Sequence, residues 1–464
     1  MSARPTLLSP DAIRTRFSRA MSDMYKAEVP QYGTLMELVA DVNEETRRAD
    51  SRLDRRLVEN GEVERLHLER HGAIRLGTAD ELATMRRLFA VMGMVPVGYY
   101  DLSVAGVPVH STAFRPVEPE ALRRNPFRVF TSLLRLDLIE DEGLRAEAAE
   151  ILSRRRIYTP GCLALIHTAE VQGGLGEEEA DRFVAEALET FRWHSAATVS
   201  ADVYRRLRGA HPLVADVVCF KGPHINHLTP RTLDIDTVQA RMPERGISPK
   251  AVIEGPAPRR VPILLRQTSF RALQEPIAFK GADGEGVEDG THTARFGEIE
   301  QRGAALTPKG RELYDTLLAQ VRGDVQVKGD GSNAADYMAA LSRRFEGFPD
   351  DEETLRREGL AFFRYTPTGK AGAPATDDVE ALLAGGYLKA EPITYEDFLP
   401  VSAAGIFQSN LGDESQQNFA ARANRAAFVR DLGADPADEI ALYARAEAQS
   451  REAALAALKV EAAA

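Results

Sequence analysis

Histidines are the first residues to weigh, because imidazole both moves protons and binds metal ions. The chain has nine. In HLERH, His67 and His71 stand at i, i+4, the spacing of a zinc-protease helix, but Leu68 sits where that chemistry needs glutamate and Glu69 comes one residue late. That departure excludes the protease reading. His224 and His227 lie in GPHINHLTPR, a turn-rich segment after ADVVCF, which reads as an apolar strand. A histidine at a strand end can face a cleft or face solvent, and the residues alone leave both open. His110, His167, His194, His211 and His292 have no local pattern to recommend them.

Carboxylates supply the next candidates. In ARFGEIEQRG a strand places Phe296, Glu298 and Glu300 on one face and Gly297 and Ile299 on the other. Two carboxylates on one face are costly to bury unless a positive group meets them. A metal ion would serve, and so would Arg302 with a wet rim. In HGAIRLG, His71 and Arg75 share a face whether the segment is helical (i, i+4) or extended (an even spacing). A neutral imidazole on a metal beside a guanidinium suits an anionic ligand, held at one end by the ion and at the other by the arginine fork. The competing reading pairs Arg75 with a surface acid.

Other chemistries are excluded by spacing. TPTGKAG lacks the leading glycine and trailing Ser/Thr of a phosphate loop, and no strand–GxGxxG–helix or GxSxG elbow occurs. DGEGVEDG lacks the ligand spacing of an EF-hand. With 58 Lys+Arg against 70 Asp+Glu the formal charge is −12, which argues against nucleic acid as partner. The run Arg154-Arg155-Arg156 reads as a solvated helix end. Cys162 and Cys219 are too few for a disulfide framework or a cysteine zinc site, and read as buried small hydrophobes in a reducing compartment. No stretch approaches the ~18 apolar residues of a membrane span, and charged residues interrupt the N-terminal segment, so the expected location is the cytoplasm.

These residues need elements to position them. Ser9-Pro10 opens a helix carrying Ile13, Phe17, Met21 and Met24, and Leu35, Leu38, Val39 and Val42 make a second apolar stripe. Thr78 caps a third helix that stops near Gly93. Residues 94–139 are rich in β-branched and aromatic residues and read as strands, residues 140–210 as helices. A second β-rich tract spans about 212–303, including VPILLRQTSF and RFGEIEQ, with 280–290 as a surface loop. Thr307-Pro308 opens another helix, the remainder is mostly helical, and the chain ends in an Ala/Glu helix. The expected class is α+β. The expected division is a metal-binding β core in residues 1–330, with N-terminal helices and a helical insertion near 140–210, followed by a mostly helical part in 331–464 that closes the substrate pocket.

Taken together and in order, ERHGAIRLGT, GYYDLSVAGVPVHSTAFRP, GPHINHLTPR, RFGEIEQRG and YEDFLPVSAAGIF resemble the bacterial 2-oxoadipate dioxygenase/decarboxylase (D-2-hydroxyglutarate synthase) family, from about residue 10 to 415. FGEIEQRG also resembles, more distantly, the iron-ligand strand of 4-hydroxyphenylpyruvate dioxygenase, which implies a vicinal-oxygen-chelate-like sheet. The resemblance implies an Fe(II) cofactor on His71, His227 and Glu298, a set that leaves open positions for substrate and dioxygen. It further implies that Arg75 binds the distal substrate carboxylate, with Val401 and Ser402 lining the same pocket, and that Glu300 stands behind the ligands or at the rim. The implied partners are a small 2-oxo dicarboxylic acid and O2, with no nucleic acid and no membrane, in lysine degradation. The implied reaction is oxidative decarboxylation of 2-oxoadipate with hydroxylation of the remaining fragment to 2-hydroxyglutarate. Two rivals are a metal-dependent isomerase or lyase that ignores oxygen, and a non-catalytic dicarboxylate-binding protein.

Overall fold

Local chemistry sets most helix starts. Ser9 accepts from the Ala12 N–H to open the helix Pro10–Glu28, Thr78 accepts from Glu81 N–H before Ala79–Val91, and Thr307 from Gly310 N–H before Pro308–Asp324. The computed structural model describes residues 6–270, 273–281, 286–293, 295–326, 332–374, 376–399 and 424–463. Val401 and Ser402 lie outside the described residues.

The strands are β1 (Arg70–Leu76), β2 (Val95–Asp101), β3 (Val109–Arg115), β4 (Arg128–Leu134), β5 (Ala196–Ser200), β6 (Leu228–Pro230), β7 (Leu265–Ser269), β8 (Glu275–Lys280), β9 (Val287–His292), β10 (Glu298–Arg302), β11 (Phe363–Pro367) and β12 (Leu388–Pro392). With the surrounding helices they make the expected α+β architecture. A five-stranded mixed sheet runs in the order β2-β3-β4-β1-β6, with β1 parallel to β4 and antiparallel to β6. Flanked by β4 and β6, β1 is largely buried, with Ala73 and Arg75 half-buried. Ile74 and Leu76 fill one side, while His71 and Arg75 alternate to the other.

ADVVCF is not a strand: residues Pro212–Val218 form a helix, with Pro212 in the first turn and the His211 ring accepting from Leu213 N–H. The proline and cap override the β preference of the three valines. The stretch 280–290 is not wholly a loop, since Lys280 ends β8 and residues from Val287 onward form β9, paired antiparallel with it.

By its contacts the chain divides into two units, one of residues 1–250, 268–300 and 405–436, the other of 251–267, 301–404 and 437–464. A single cut at 330 does not describe this, because the chain passes between the units within β7 and β10, and such long-range pairing leaves no mark on local composition. The first unit holds the five-stranded sheet and an apolar cluster around Tyr204, Val218, Phe220 and Phe279. The second is built around Leu264, Tyr314, Leu341, Phe345, Phe363 and Tyr395. There the final helix Glu439–Ala463 covers the edge of β11, accepting from Phe363 N–H through Glu447 and from Tyr365 N–H through Ser450.

Candidate metal centre

Three extended segments of the first unit lie side by side and carry the candidate ligands. His71 is the second residue of β1 and pairs across to Thr229 of β6. His227 immediately precedes β6. Glu298 opens β10, and Arg231, just past β6, bridges in parallel to Glu300. The N-terminal helix braces two of these segments, for the Tyr25 hydroxyl lies 3.0 Å from the Asn226 carbonyl and 2.7 Å from that of Phe296.

The structure therefore brings together what the sequence scatters over 228 residues. The ligand atoms of His71, His227 and Glu298 all lie within 4.8 Å of one another. His71 Nε2 is 3.0 Å from Glu298 Oε1, and His227 Nε2 is 3.8 Å from the same oxygen. Ligands held at about 2.1 Å around one ion and at right angles stand about 3 Å apart, so the spacing suits a single ion. The state of His227 supports this. Its Nδ1 is buried with no hydrogen-bond partner among the described residues, and its Nε2 stands beyond hydrogen-bond reach of Glu298. A buried imidazole left so poorly satisfied is costly, and an ion would relieve it. Burial, reinforced by the nearby His71 and Arg75, pushes His227 down to about 4, so at neutral pH the ring is in its metal-binding, unprotonated form. Burial alone would raise the Glu298 carboxyl, but His227 and His71 outweigh it and hold the group below its usual range.

Glu300 is the same-face neighbour of Glu298, as the alternation required. It is fully buried, with Oε2 2.8 Å from His71 Nδ1 and Oε1 3.3 Å from Arg128 Nη1. Arg302 donates to the carbonyls of Tyr395 and Asp397. The groups that meet Glu300 at these distances are the His71 ring and the Arg128 guanidinium, and the carboxylate lies buried rather than at a wet rim. Behind them Glu69 accepts from Arg65, Arg128 and Arg231 at 2.9–3.3 Å. A carboxylate on the far nitrogen of a ligand histidine fixes the ring and its tautomer, leaving the near nitrogen free to coordinate. Glu69, Arg128 and Arg231 were not legible in the sequence, because a lone charged residue carries no local sign that it will be buried.

Arg75 lies on the same face of β1 as His71, four residues on, so their Cα atoms are about 13 Å apart. Its Nη1 is 2.7 Å from Asp216 Oδ2. The partner is an acid, as the competing reading held, but a buried one and not a surface one. Of the other histidines, His224 and His292 gather around Asp216, and His110 packs against Phe428. HLERH is split: His67 is helical and His71 is on β1, so their i, i+4 spacing brings no shared face.

The profile of the 2-oxoadipate dioxygenase/decarboxylase family matches residues 17–410. The chain is 58% identical over 449 residues to the 2-oxoadipate dioxygenase/decarboxylase of Escherichia coli K12, covering 96% of this chain and 98% of that one. It is 57% identical over 460 residues to the Pseudomonas putida protein of the same name, covering 98% of each. Among solved structures, the Pseudomonas putida hydroxyglutarate synthase in complex with 2-oxoadipate superposes with a TM-score of 0.89 at 56% identity, covering 97% of this chain and 99% of that one.

Proposed function

The chain belongs to the 2-oxoadipate dioxygenase/decarboxylase family, and from that premise we propose that it converts 2-oxoadipate and O2 to D-2-hydroxyglutarate and CO2 with Fe(II) on His71, His227 and Glu298. The observation that carries this reading is the convergence of His71, His227 and Glu298 from three segments, with Arg75 on the same face of β1 as His71. Two histidines and a carboxylate on one face form the donor set of non-haem Fe(II) oxygenases. Bound there, Fe(II) supplies open positions where a 2-oxo acid and dioxygen meet, and the electrons that activate dioxygen.

The protein's own groups do the rest. Glu298 carries the negative charge of the ligand set, and the two imidazoles contribute neutral donors. Glu300, pinned by Arg128, holds the His71 ring against rotation. Arg75 takes the carboxylate at the far end of the diacid. It thereby sets which carbon of the substrate lies near the ligands and selects a dicarboxylate over a monocarboxylate. The balance closes without another reductant: the C1 carboxyl leaves as CO2, one oxygen atom of O2 enters the new carboxylate, and the other becomes the hydroxyl. The reading also puts the enzyme in the cytoplasm.

Replacing His71, His227 or Glu298 by alanine tests the assignment. Each variant is expected to lose bound iron, read by metal analysis after anaerobic Fe(II) loading, and to form no 2-hydroxyglutarate. Retained iron with full turnover in any one of them would remove that residue from the set.

A further inference from the structure

A second buried polar group stands behind Arg75, and none of its members belongs to the ligand set. Asp216, on the helix Pro212–Val218, is buried, and its two oxygens divide their work. Oδ2 accepts from Arg75 Nη1 at 2.7 Å, while Oδ1 lies 2.9 Å from His292 Nε2 and 3.4 Å from His224 Nε2. The other nitrogen of His292, Nδ1, is 2.8 Å from the Tyr204 hydroxyl, which lies 2.9 Å from Arg208 Nη1.

Chemistry orders these bonds. A guanidinium only donates, so the Tyr204 oxygen accepts from Arg208. The arrangement that gives the phenol hydrogen an acceptor sends it to His292 Nδ1, which leaves Nε2–H to donate to Asp216. Asp216 therefore receives hydrogen bonds on both oxygens, the state of an anionic carboxylate. Its burial would raise the carboxyl, but His224, Arg75 and His292 outweigh that and hold it well below the usual range. Arg75 has five donors, and its one bond among the described residues goes to Asp216. A quarter of its side chain, 26%, stays exposed, against 7% for Asp216. A guanidinium fixed on one side and undersatisfied on the other is prepared for a second anion.

We propose that Asp216, steadied by His292 and Tyr204, is the positioning residue that aims Arg75 at the distal carboxylate and so sets dicarboxylate specificity. The proposal rests on the reading of Arg75 given above. It also implies that selectivity comes from orientation more than from net charge, since the Arg75–Asp216 pair is already neutral.

The chain has one tryptophan, and it reports on this cluster. Trp193 packs edge-on to His224 at 4.7 Å and lies parallel to His292 at 6.1 Å between ring centres. The test uses full-length, Fe(II)-loaded protein as wild type, Asp216→Asn, Tyr204→Phe and Arg75→Met. Steady-state constants are measured for 2-oxoadipate, inhibition constants for 2-oxohexanoate (which lacks the distal carboxylate), and Trp193 emission during anaerobic titration with 2-oxoadipate. Asp216→Asn is expected to raise KM for 2-oxoadipate about tenfold or more with a smaller change in kcat. It should leave the 2-oxohexanoate constant within about twofold and shift the fluorescence titration in step with KM. Tyr204→Phe should move the same quantities in the same direction by less, which keeps the proposal testable should the asparagine variant not fold. An unchanged KM in both variants overturns it, as does a parallel loss of 2-oxohexanoate affinity, which would mark a general structural defect. If Arg75→Met itself binds 2-oxoadipate normally, the assignment of Arg75 is what fails. If Arg75→Met is impaired while Asp216→Asn is normal, the positioning role alone fails.

Discussion

The His71 ring stands between two carboxylates with different work: Glu298 faces the nitrogen that would coordinate, and Glu300 faces the other. Removing the charge of Glu300 while keeping its shape, as in Glu300→Gln, should leave all three ligands in place yet loosen the tautomer and orientation of His71. Iron affinity is expected to fall by about 10–100-fold, measured by competition with a chelator, and wild-type affinity would show that Glu300 does not orient the ring. At this scale the sequence was informative where one face of one strand carried the message. The even spacing of His71 and Arg75, and of Glu298 and Glu300, was readable because strand alternation is a local rule. Selecting His227 over His224 was not readable from spacing, since both stand in one turn-rich segment; the family resemblance made that choice. In the structure His224 turns to Asp216 and Asn226 instead. The set of Asp216, His292 and Tyr204 left no trace either, because its members come from a helix, a strand end and another helix that meet only on folding.

Among the elements, close approach of β1 to residues 225–230 sets how near His71 comes to His227. Gly72 makes that approach feasible. A Cβ there would stand 2.5 Å from Ile225 Cδ1 and 3.1 Å from the His227 carbonyl oxygen. Gly72→Ala is therefore expected to push the His227 segment away from β1, costing roughly 1–3 kcal/mol of stability by overpacking. It should also weaken iron binding, although residue 72 touches no ion. Denaturant unfolding together with metal titration checks this, and unchanged values for both would show that the interface yields without moving His227. Strand identity was legible at β2–β4 and at β10, where β-branched and aromatic residues dominate. It failed at Pro212–Val218, where three valines suggested a strand while Pro212 and the His211 cap decided for a helix. It failed also for β11 and β12, whose pairing with each other spans an intervening helix and follows no local pattern.

For the whole molecule, the mixed α+β character was legible from composition changes along the chain, and the two-unit division was not, because it depends on strands that pair across long stretches of sequence. The expectation that both cysteines are buried holds. Burial pushes the Cys162 thiol up to about 12 and raises Cys219 further, so neither supplies thiolate at neutral pH. A thiol reagent should label neither cysteine in the folded protein and both after denaturation; rapid labelling of the native protein would contradict their burial. The proposed activity is decided by what the site does with oxygen. Protein loaded anaerobically with Fe(II) and mixed with 2-oxoadipate in air-saturated buffer should consume one O2 for each CO2 released and each 2-hydroxyglutarate formed. Release of CO2 without oxygen uptake, or no turnover with iron bound, would overturn the dioxygenase reading.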